Sequence, residues 1–263
     1  MPYRPTDANV SLPELTPTKA SFGMTPVVKH ISKRTVAGVS LGPHLEGAAL
    51  PHPDISDSED AQLGCRKRFG TKMPKFDRKM VRRLQRFTSK WLKKNLVPFS
   101  NTHKFDLEGW LAETNYPEAR KEELRHEWSE NFNLLSEKSV QAKAFVKDEY
   151  YPEYKYPRII NSRQDPFKCF FGPVVKDIES KLYKIHHFIK HTPVADRPEY
   201  IRSHLYRVGA KYFGTDFMSF ESSFVQEISF KLEYQLFEHL LRGHSIWTIM
   251  AEVLSKVKFG RVS

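Results

Sequence analysis

The stretch of sequence that decides the fold is Gly214-Thr215-Asp216-Phe217-Met218-Ser219-Phe220-Glu221-Ser222-Ser223-Phe224. Asp216 stands at the end of an apolar run, and Glu221 follows five positions later. Side chains of a strand alternate between its two faces, so an acidic side chain at the strand's end can face solvent while its neighbours stay buried. The stretch therefore predicts a strand ending at Asp216, an acidic turn and a following helix.

The segment after this turn has the period of an amphipathic helix. Its apolar residues recur at steps of four, and Gly243 is expected to close the helix. The apolar positions are Phe224, Ile228, Leu232, Leu236 and Leu240. We therefore expect a unit of strand, turn and helix within an α+β fold.

The two carboxylates suggest a metal site. Sites for nucleotidyl transfer commonly hold two Mg²⁺ ions about 4 Å apart, and Mg²⁺ prefers carboxylate oxygens and water. Asp216 is then the candidate metal ligand and catalytic residue, with Glu221 offset on the turn. Taken alone, the pair is better explained as strand termination and a glutamate at a helix N-terminus, where negative charge is favourable.

A basic segment lies upstream of these carboxylates. The runs Lys143–Lys147 and Tyr156–Ile160 are β-prone and joined by a polar stretch, which predicts a hairpin or a pair of crossing strands. We call residues 143–163 the basic hairpin. Arginine can pair with phosphate and stack on a base, whereas lysine supplies a point charge. The alternative is a hairpin whose lysines only protect an exposed edge from aggregation.

The order of these two segments favours a specific chemistry. The basic hairpin, with Lys-Asp-Glu followed by Lys-Tyr-Pro-Arg-Ile-Ile-Asn-Ser-Arg, resembles motif F of positive-strand RNA virus polymerases. The stretch around Asp216 resembles motif A of the same enzymes. Residues 108–121 are similar to a fingers segment of tombusvirus-like RNA-dependent RNA polymerases, so the resemblance covers roughly residues 105–263.

The resemblance implies a role for each acidic and basic residue. Asp216 binds Mg²⁺ or Mn²⁺, and Glu221 meets the ribose, although the family usually has Asp at the second position. The residues implied to contact the triphosphate, base or template are Lys147, Lys155, Arg158 and Arg163.

The resemblance also implies a right-hand polymerase made of fingers and the start of a palm. Composition predicts an extended or disordered tail over residues 1–70, because its first 60 residues are rich in proline and poor in aromatic side chains. The resemblance makes residues 71–205 the largely helical fingers region and residues 206–263 the first part of the palm. The family's Gly-Asp-Asp turn and Ser-Gly-x3-Thr-x3-Asn segment are absent from this sequence. We therefore expect an N-terminal polymerase fragment that does not extend a primer by itself.

Such an enzyme is an RNA-directed RNA polymerase, a nucleotidyltransferase of viral RNA replication. The implied partners are the RNA template, the nascent strand, nucleoside triphosphates and other viral replication proteins. The implied location is the host cytoplasm, in a replication complex attached to membranes through those proteins. The alternative is a non-enzymatic RNA-binding protein whose basic helix and hairpin contact phosphates.

A basic amphipathic helix is predicted from Phe76 onward, because apolar residues recur at steps of three and four among cations. The apolar residues are Phe76, Met80, Val81, Leu84, Phe87, Trp91 and Leu92, and the cations are Arg78, Lys79, Arg82, Arg83, Arg86, Lys90, Lys93 and Lys94. Regularly spaced cations fit the wall of an RNA channel, with Arg82, Arg83 and Arg86 as candidate contacts. They fit a solvated face equally well, and a membrane surface is the third alternative.

Composition agrees with a polyanionic partner. The chain has 42 Lys and Arg against 31 Asp and Glu, a net charge of +11, which favours nucleic acid and equally an anionic membrane surface. Cys65 and Cys169 are far apart, which argues against a disulfide framework or zinc site and for a reducing compartment. Cys169 is expected to be a buried structural residue. No apolar run reaches the length of a membrane span.

Two further helices are predicted. Pro117 breaks the chain before a charged helix over Glu118–Leu135. Gly172 and Pro173 are expected to open another helix, because proline suits a first helical turn.

Overall fold

The computed structural model describes residues 53–55, 57–69, 77–130, 133–151, 155–216 and 226–257. In these ranges the helices are α1 Ser58–Phe69, α2 Arg78–Asn95, α3 Leu107–Ala112, α4 Glu118–Ser129, α5 Glu137–Val140, α6 Asp165–Leu182, α7 Arg197–Leu205, α8 Gln226–Ile228, α9 Tyr234–Leu241 and α10 Trp247–Val257. The strands β1 Ala142–Val146 and β2 Ile159–Arg163 pair into a two-stranded sheet. This helix-rich architecture with a small sheet agrees with the α+β class expected from the sequence.

Close packing divides the chain into two units. Unit 1 contains residues 1–74, 143–162 and 262–263, and unit 2 contains residues 75–142 and 163–261. Helix α1 and most of the basic hairpin therefore belong to unit 1, and the other described helices belong to unit 2. The assignment of these parts to fingers and palm stays a prediction.

In unit 1, α1 packs against β2 through Gly64. A Cβ atom at Gly64 would lie 2.7 Å from the side chain of Ile159 and 2.8 Å from the carbonyl oxygen of Pro157. Ile159 is buried, and Nζ of Lys67 lies 5.7 Å from the ring centre of Tyr156. The close approach requires a residue without a side chain at position 64.

The prediction of a tail over residues 1–70 is wrong for residues 58–69, which form α1. The sequence there changes from acidic to basic, and this change is typical of a boundary between tail and folded part. In the structure the acidic residues stand at the start of α1 and the basic ones in its last turn, an arrangement that complements the helix dipole. Residues 1–52 lie outside the described residues.

The core of unit 2 is formed by the inward faces of α2, α6, α9 and α10. Leu92, Val174, Leu240 and Met250, one from each helix, are buried in a single cluster. Full burial of such a side chain stabilises the fold by about 1.5–3 kcal/mol relative to leaving it exposed. Leu236 packs against the same cluster, so the apolar face predicted for this helix is confirmed at positions 236 and 240.

A second cluster joins α3, α4 and α6. Leu111, Leu124 and Cys169 are buried, and Sγ of Cys169 donates to the carbonyl oxygen of Leu124 at 3.5 Å. Burial raises the pKa of the Cys169 thiol to about 11, so the prediction of a structural cysteine is confirmed. A Cβ atom at Gly172 would overlap the indole of Trp110, which therefore requires glycine at that point of α6.

Helix α6 begins earlier than the sequence predicts. It starts at Asp165 rather than at Gly172, with Pro166 in its first turn and Pro173 inside it. Proline suits a first turn because its missing N–H group needs no partner there, and Pro166 meets that condition. The sequence offers two prolines for one helix start, and only the packing of α6 distinguishes them.

Helix α4 is shorter than the sequence predicts. It ends at Ser129 rather than at Leu135. Ser136 begins the separate helix α5, where its Oγ accepts a hydrogen bond from the backbone N–H of Ser139 at 3.1 Å. A serine that caps a new helix cannot also lie within the preceding one.

Residues 206–216 do not form the predicted strand. They lack regular secondary structure, and Phe213 is 95% exposed. The hydroxyl of Tyr212 accepts a hydrogen bond from the backbone N–H of Arg207 at 2.8 Å, so the segment folds back on itself. A strand needs a neighbour for its backbone groups, and the described sheet contains only β1 and β2. The prediction of a strand ending at Asp216 is therefore wrong for the described residues.

The helix predicted after this segment is present in its described part. It begins with α8, passes through a π-helical turn over Ser229–Glu233 and continues as α9. Helix α9 ends at Leu241, shortly before Gly243. The prediction of one continuous α-helix does not include the π-helical turn.

Candidate functional site

Glu149 joins the two arms of the basic hairpin. Its carboxylate accepts a hydrogen bond from Nζ of Lys147 at 2.6 Å and from Nη1 of Arg158 at 3.2 Å. The backbone N–H of Lys147 also donates to the carbonyl oxygen of Arg158 at 2.7 Å, beside the ends of β1 and β2. These contacts bring together two of the four cations that the resemblance implies for the triphosphate.

Tyr151 supports this junction. Its side chain is buried, and its hydroxyl accepts a hydrogen bond from the backbone N–H of Arg158 at 3.0 Å. Nζ of Lys155 lies 4.4 Å from the ring centre of Tyr151, within the range of a cation–π contact. Burial raises the pKa of the Tyr151 hydroxyl, which keeps the phenol protonated at neutral pH. Lys155 therefore joins Lys147 and Arg158 as the third cation of this end of the hairpin.

The carboxylate of Glu149 is ionised at neutral pH. The hydrogen bond from Lys147 lowers its pKa, and the charge of Arg158 lowers it further against the opposing effect of burial. The side chains of Lys147 and Arg158 are 39% and 51% exposed, so an anion from solvent can reach them. Ion pairs near the surface contribute only about 0–1 kcal/mol. An anion of higher charge can therefore displace Glu149 from these cations.

Arg163 belongs to unit 2, and its contacts differ from those of Lys147, Lys155 and Arg158. Its guanidinium donates to the carbonyl oxygen of Val140 at 2.7 Å and lies 5.2 Å from the ring centre of Phe167. Burial lowers the pKa of Arg163, but an arginine side chain stays charged in proteins. These contacts lie within unit 2, and the nucleotide contact of Arg163 stays a prediction.

Asp216 is exposed at the end of segment 206–216. Glu221 lies outside the described residues. In the ranges that the structure describes, no three His, Cys, Asp or Glu side chains are grouped so that they could hold a metal ion. A single carboxylate does not form a Mg²⁺ site, which needs several oxygen ligands in near-octahedral geometry. The metal role of Asp216, the ribose role of Glu221 and the use of Mg²⁺ or Mn²⁺ all stay predictions.

Arg82, Arg83 and Arg86 lie on the exposed face of α2. The helix is well defined at its start, where the carboxylate of Asp77 accepts hydrogen bonds from two backbone N–H groups of the first turn. Within the described part of the chain, none of the cations of α2 forms a salt bridge. Among the described helices, none combines the length and the apolar character needed to span a membrane. RNA contact by the three arginines stays a prediction.

Comparison with known proteins identifies no family for this chain. The chain matches no protein-family model, no curated protein and no solved structure. The polymerase resemblance therefore rests on the motifs in the sequence.

Glu149 and Tyr151 are not among the residues predicted for this site from the sequence. Glu149 stands two positions after Lys147, a spacing that places both side chains on one side of an extended chain, and this signal is visible in the sequence. Tyr151 gives no comparable signal. Its hydroxyl meets the backbone of Arg158 seven residues away, and only the folding of the connecting segment creates that contact.

Proposed function

We propose that this chain provides the fingers region and the start of the palm of an RNA-dependent RNA polymerase, with the basic hairpin as the receiver of the nucleoside triphosphate. The observation that carries the proposal is the meeting of Lys147 and Arg158, one from each arm of the hairpin, on the single carboxylate of Glu149. Lys155 adds a third cation on the ring of Tyr151. A polyphosphate ligand could replace the carboxylate of Glu149 and bind these cations together.

The chemistry of the three cations fits a triphosphate. Arg158 can pair with two phosphate oxygens at once, and Lys147 supplies a point charge. A triphosphate carries more negative charge than Glu149, so it competes for both side chains. Positive groups held in place before the reaction stabilise negative charge that develops as pyrophosphate leaves. The basic hairpin would therefore position the nucleotide and neutralise its leaving group.

The proposal assigns no step to a metal ion. Mg²⁺ or Mn²⁺, when bound, would neutralise charge on the reacting phosphates. Asp216 is the candidate ligand by resemblance, but the described residues do not complete a cation site around it.

Nucleotide binding tests the hairpin. We expect the variant Lys147→Gln with Arg158→Gln to bind a fluorescent ribonucleoside triphosphate roughly tenfold or more weakly than the wild-type chain, because it loses two charged hydrogen bonds. The matched control is Lys184→Gln with Arg202→Gln, which removes the same charge from exposed positions of unit 2. Fluorescence anisotropy measures both. Equal affinities of the variant and its control would reject the hairpin as the receiver.

Primer extension separates the polymerase from a non-enzymatic RNA-binding protein. In the longest product that the gene encodes, Asp216→Asn is expected to abolish nearly all extension on a homopolymer template with Mg²⁺ or Mn²⁺. Extension at the wild-type rate by this variant would reject Asp216 as a catalytic residue. RNA binding by the wild type without extension would favour the alternative.

A further inference from the structure

Helix α2 has two apolar rows rather than one. Val81 and Leu92 are buried, and Leu92 and the half-buried Trp91 pack in the core cluster of unit 2. Met80, Leu84 and Phe87 are 50%, 40% and 63% exposed. These three side chains are not part of the core cluster. The apolar period of the sequence does not distinguish this exposed row from the buried one.

The exposed row lies directly beside positive charge. Each residue advances about 100° around an α-helix, so the exposed row has the buried row on one side and a row of cations on the other. This flanking row consists of Lys79, Arg83, Arg86, Lys90 and Lys94. Arg78, Arg82 and Lys93 lie on nearly the opposite side of the helix from the exposed row. The helix therefore presents an apolar row bordered by cations, and three further cations that face away from it.

The flanking cations form no salt bridge with a described residue, whereas Arg78, on the other side of the helix, acts on Glu227 and, after Lys231, lowers the pKa of that carboxyl. The sequence of α2 itself contains no acidic residue. Met80, Leu84 and Phe87 beside the flanking cations favour a partner that is both apolar and anionic. RNA would use the cations but leave the exposed row in contact with water. A solvated face explains the cations and leaves the row unexplained.

We propose that this face of α2 binds the surface of an anionic lipid membrane, with Met80, Leu84 and Phe87 inserted among the acyl chains and the flanking cations on lipid phosphates. Helices that lie in the membrane interface have this arrangement, because apolar burial and attraction to anionic lipids add together. The proposal is independent of nucleotide binding, since it uses no residue of the basic hairpin.

Vesicle cosedimentation with the full chain tests the proposal. We expect the wild type to bind vesicles of phosphatidylcholine mixed with phosphatidylserine, and to bind pure phosphatidylcholine weakly. Leu84→Gln with Phe87→Gln is expected to reduce binding roughly tenfold or more, because two large side chains no longer enter the lipid. The control Val208→Gln removes an apolar side chain that is 91% exposed elsewhere in unit 2, and it should bind as the wild type does.

Two double variants, each lacking two positive charges, test whether vesicle binding depends on the side of α2 that carries the charge. Arg83→Gln with Lys94→Gln is expected to weaken vesicle binding roughly tenfold, because each cation near the surface contributes to the attraction. Arg82→Gln with Lys93→Gln removes the same charge from the opposite side, and the expected loss is about twofold or less, since attraction falls off within a Debye length. Equal losses for the two pairs would reject the proposed orientation.

Two further outcomes would overturn the proposal. One is unchanged vesicle binding by Leu84→Gln with Phe87→Gln, since the apolar row would then have no part in it. The other is a wild type that ignores anionic vesicles and binds single-stranded RNA with an affinity that falls in Arg83→Gln with Lys94→Gln. The face would then be part of an RNA channel.

Discussion

The basic hairpin and α2 are both rich in cations, but they differ in how their charge is balanced. In the hairpin, Lys147 and Arg158 share the carboxylate of Glu149, and Lys155 lies on a buried aromatic ring. In α2 the cations of the flanking row form no salt bridge with a described residue and border an exposed apolar row. The first arrangement is the basis of the proposed triphosphate site, and the second is the basis of the proposed lipid-binding face. Net charge alone does not separate these two cases.

A cross-test of the two regions has the largest expected effect. Lys147→Gln with Arg158→Gln should weaken triphosphate binding roughly tenfold or more and leave vesicle binding within about twofold of the wild type. Arg83→Gln with Lys94→Gln should do the opposite. Anisotropy with a fluorescent nucleotide and vesicle cosedimentation measure both affinities for both variants. If each variant weakens both ligands alike, the two regions share one electrostatic surface and the comparison fails.

The second prediction concerns the support of the hairpin by α1. Gly64→Val places a branched side chain where even a Cβ would lie 2.7 Å from Ile159, so α1 must move away from β2. We expect triphosphate binding to fall about five- to tenfold, because the cations depend on strand geometry, while vesicle binding by α2 is unchanged. Gly243→Ala is the matched control, since a Cβ there has no atom within 4 Å. A loss of both binding activities in Gly64→Val would show a general folding defect instead.

The third prediction concerns Glu149 as a competitor of the triphosphate. Glu149→Gln keeps the size of the side chain and removes the negative charge that holds Lys147 and Arg158. We expect triphosphate affinity to rise about two- to fivefold, because a ligand no longer has to displace a carboxylate. Titration of the variant with the same fluorescent nucleotide measures the change. A weaker affinity would show that Glu149 positions the cations for the ligand rather than competing with it.

The smallest expected effect is on the pH dependence of stability. The pKa of Glu149 is lowered in the folded state, chiefly by Lys147, so its ion pairs stabilise the fold above the unfolded pKa of about 4.3. This contribution is lost as the pH falls through the lower folded pKa. Wild type and Glu149→Gln should therefore differ at pH 7 by at most about 1 kcal/mol and converge below about pH 4. Thermal unfolding of both proteins at pH 7 and below about pH 4 checks this prediction. A difference in stability that persists below about pH 4 would contradict it.

The sequence predicts the hairpin better than the segments around it. β-prone runs over 143–147 and 156–160 correspond to β1 and to a β2 that begins at Ile159. A run of β-branched residues locates a strand, but its ends depend on where the partner strand's hydrogen bonds stop. The predicted strand ending at Asp216 shows the same limit. Its residues have the composition of a strand, and no described strand lies beside them.

Sequence alone determined the charge of the chain, the helical period of α2, the presence of two short strands and the order of the basic and acidic motifs. These features depend on neighbours within a few residues, where the helix and strand periods fix which side chains share a face. The tertiary structure decided which apolar row of α2 is buried, where α6 begins, and that Glu149 and Tyr151 organise the cations of the hairpin. A period places side chains around an element, but burial and charge balance depend on which other element packs against each face, and distant parts of the chain supply that element.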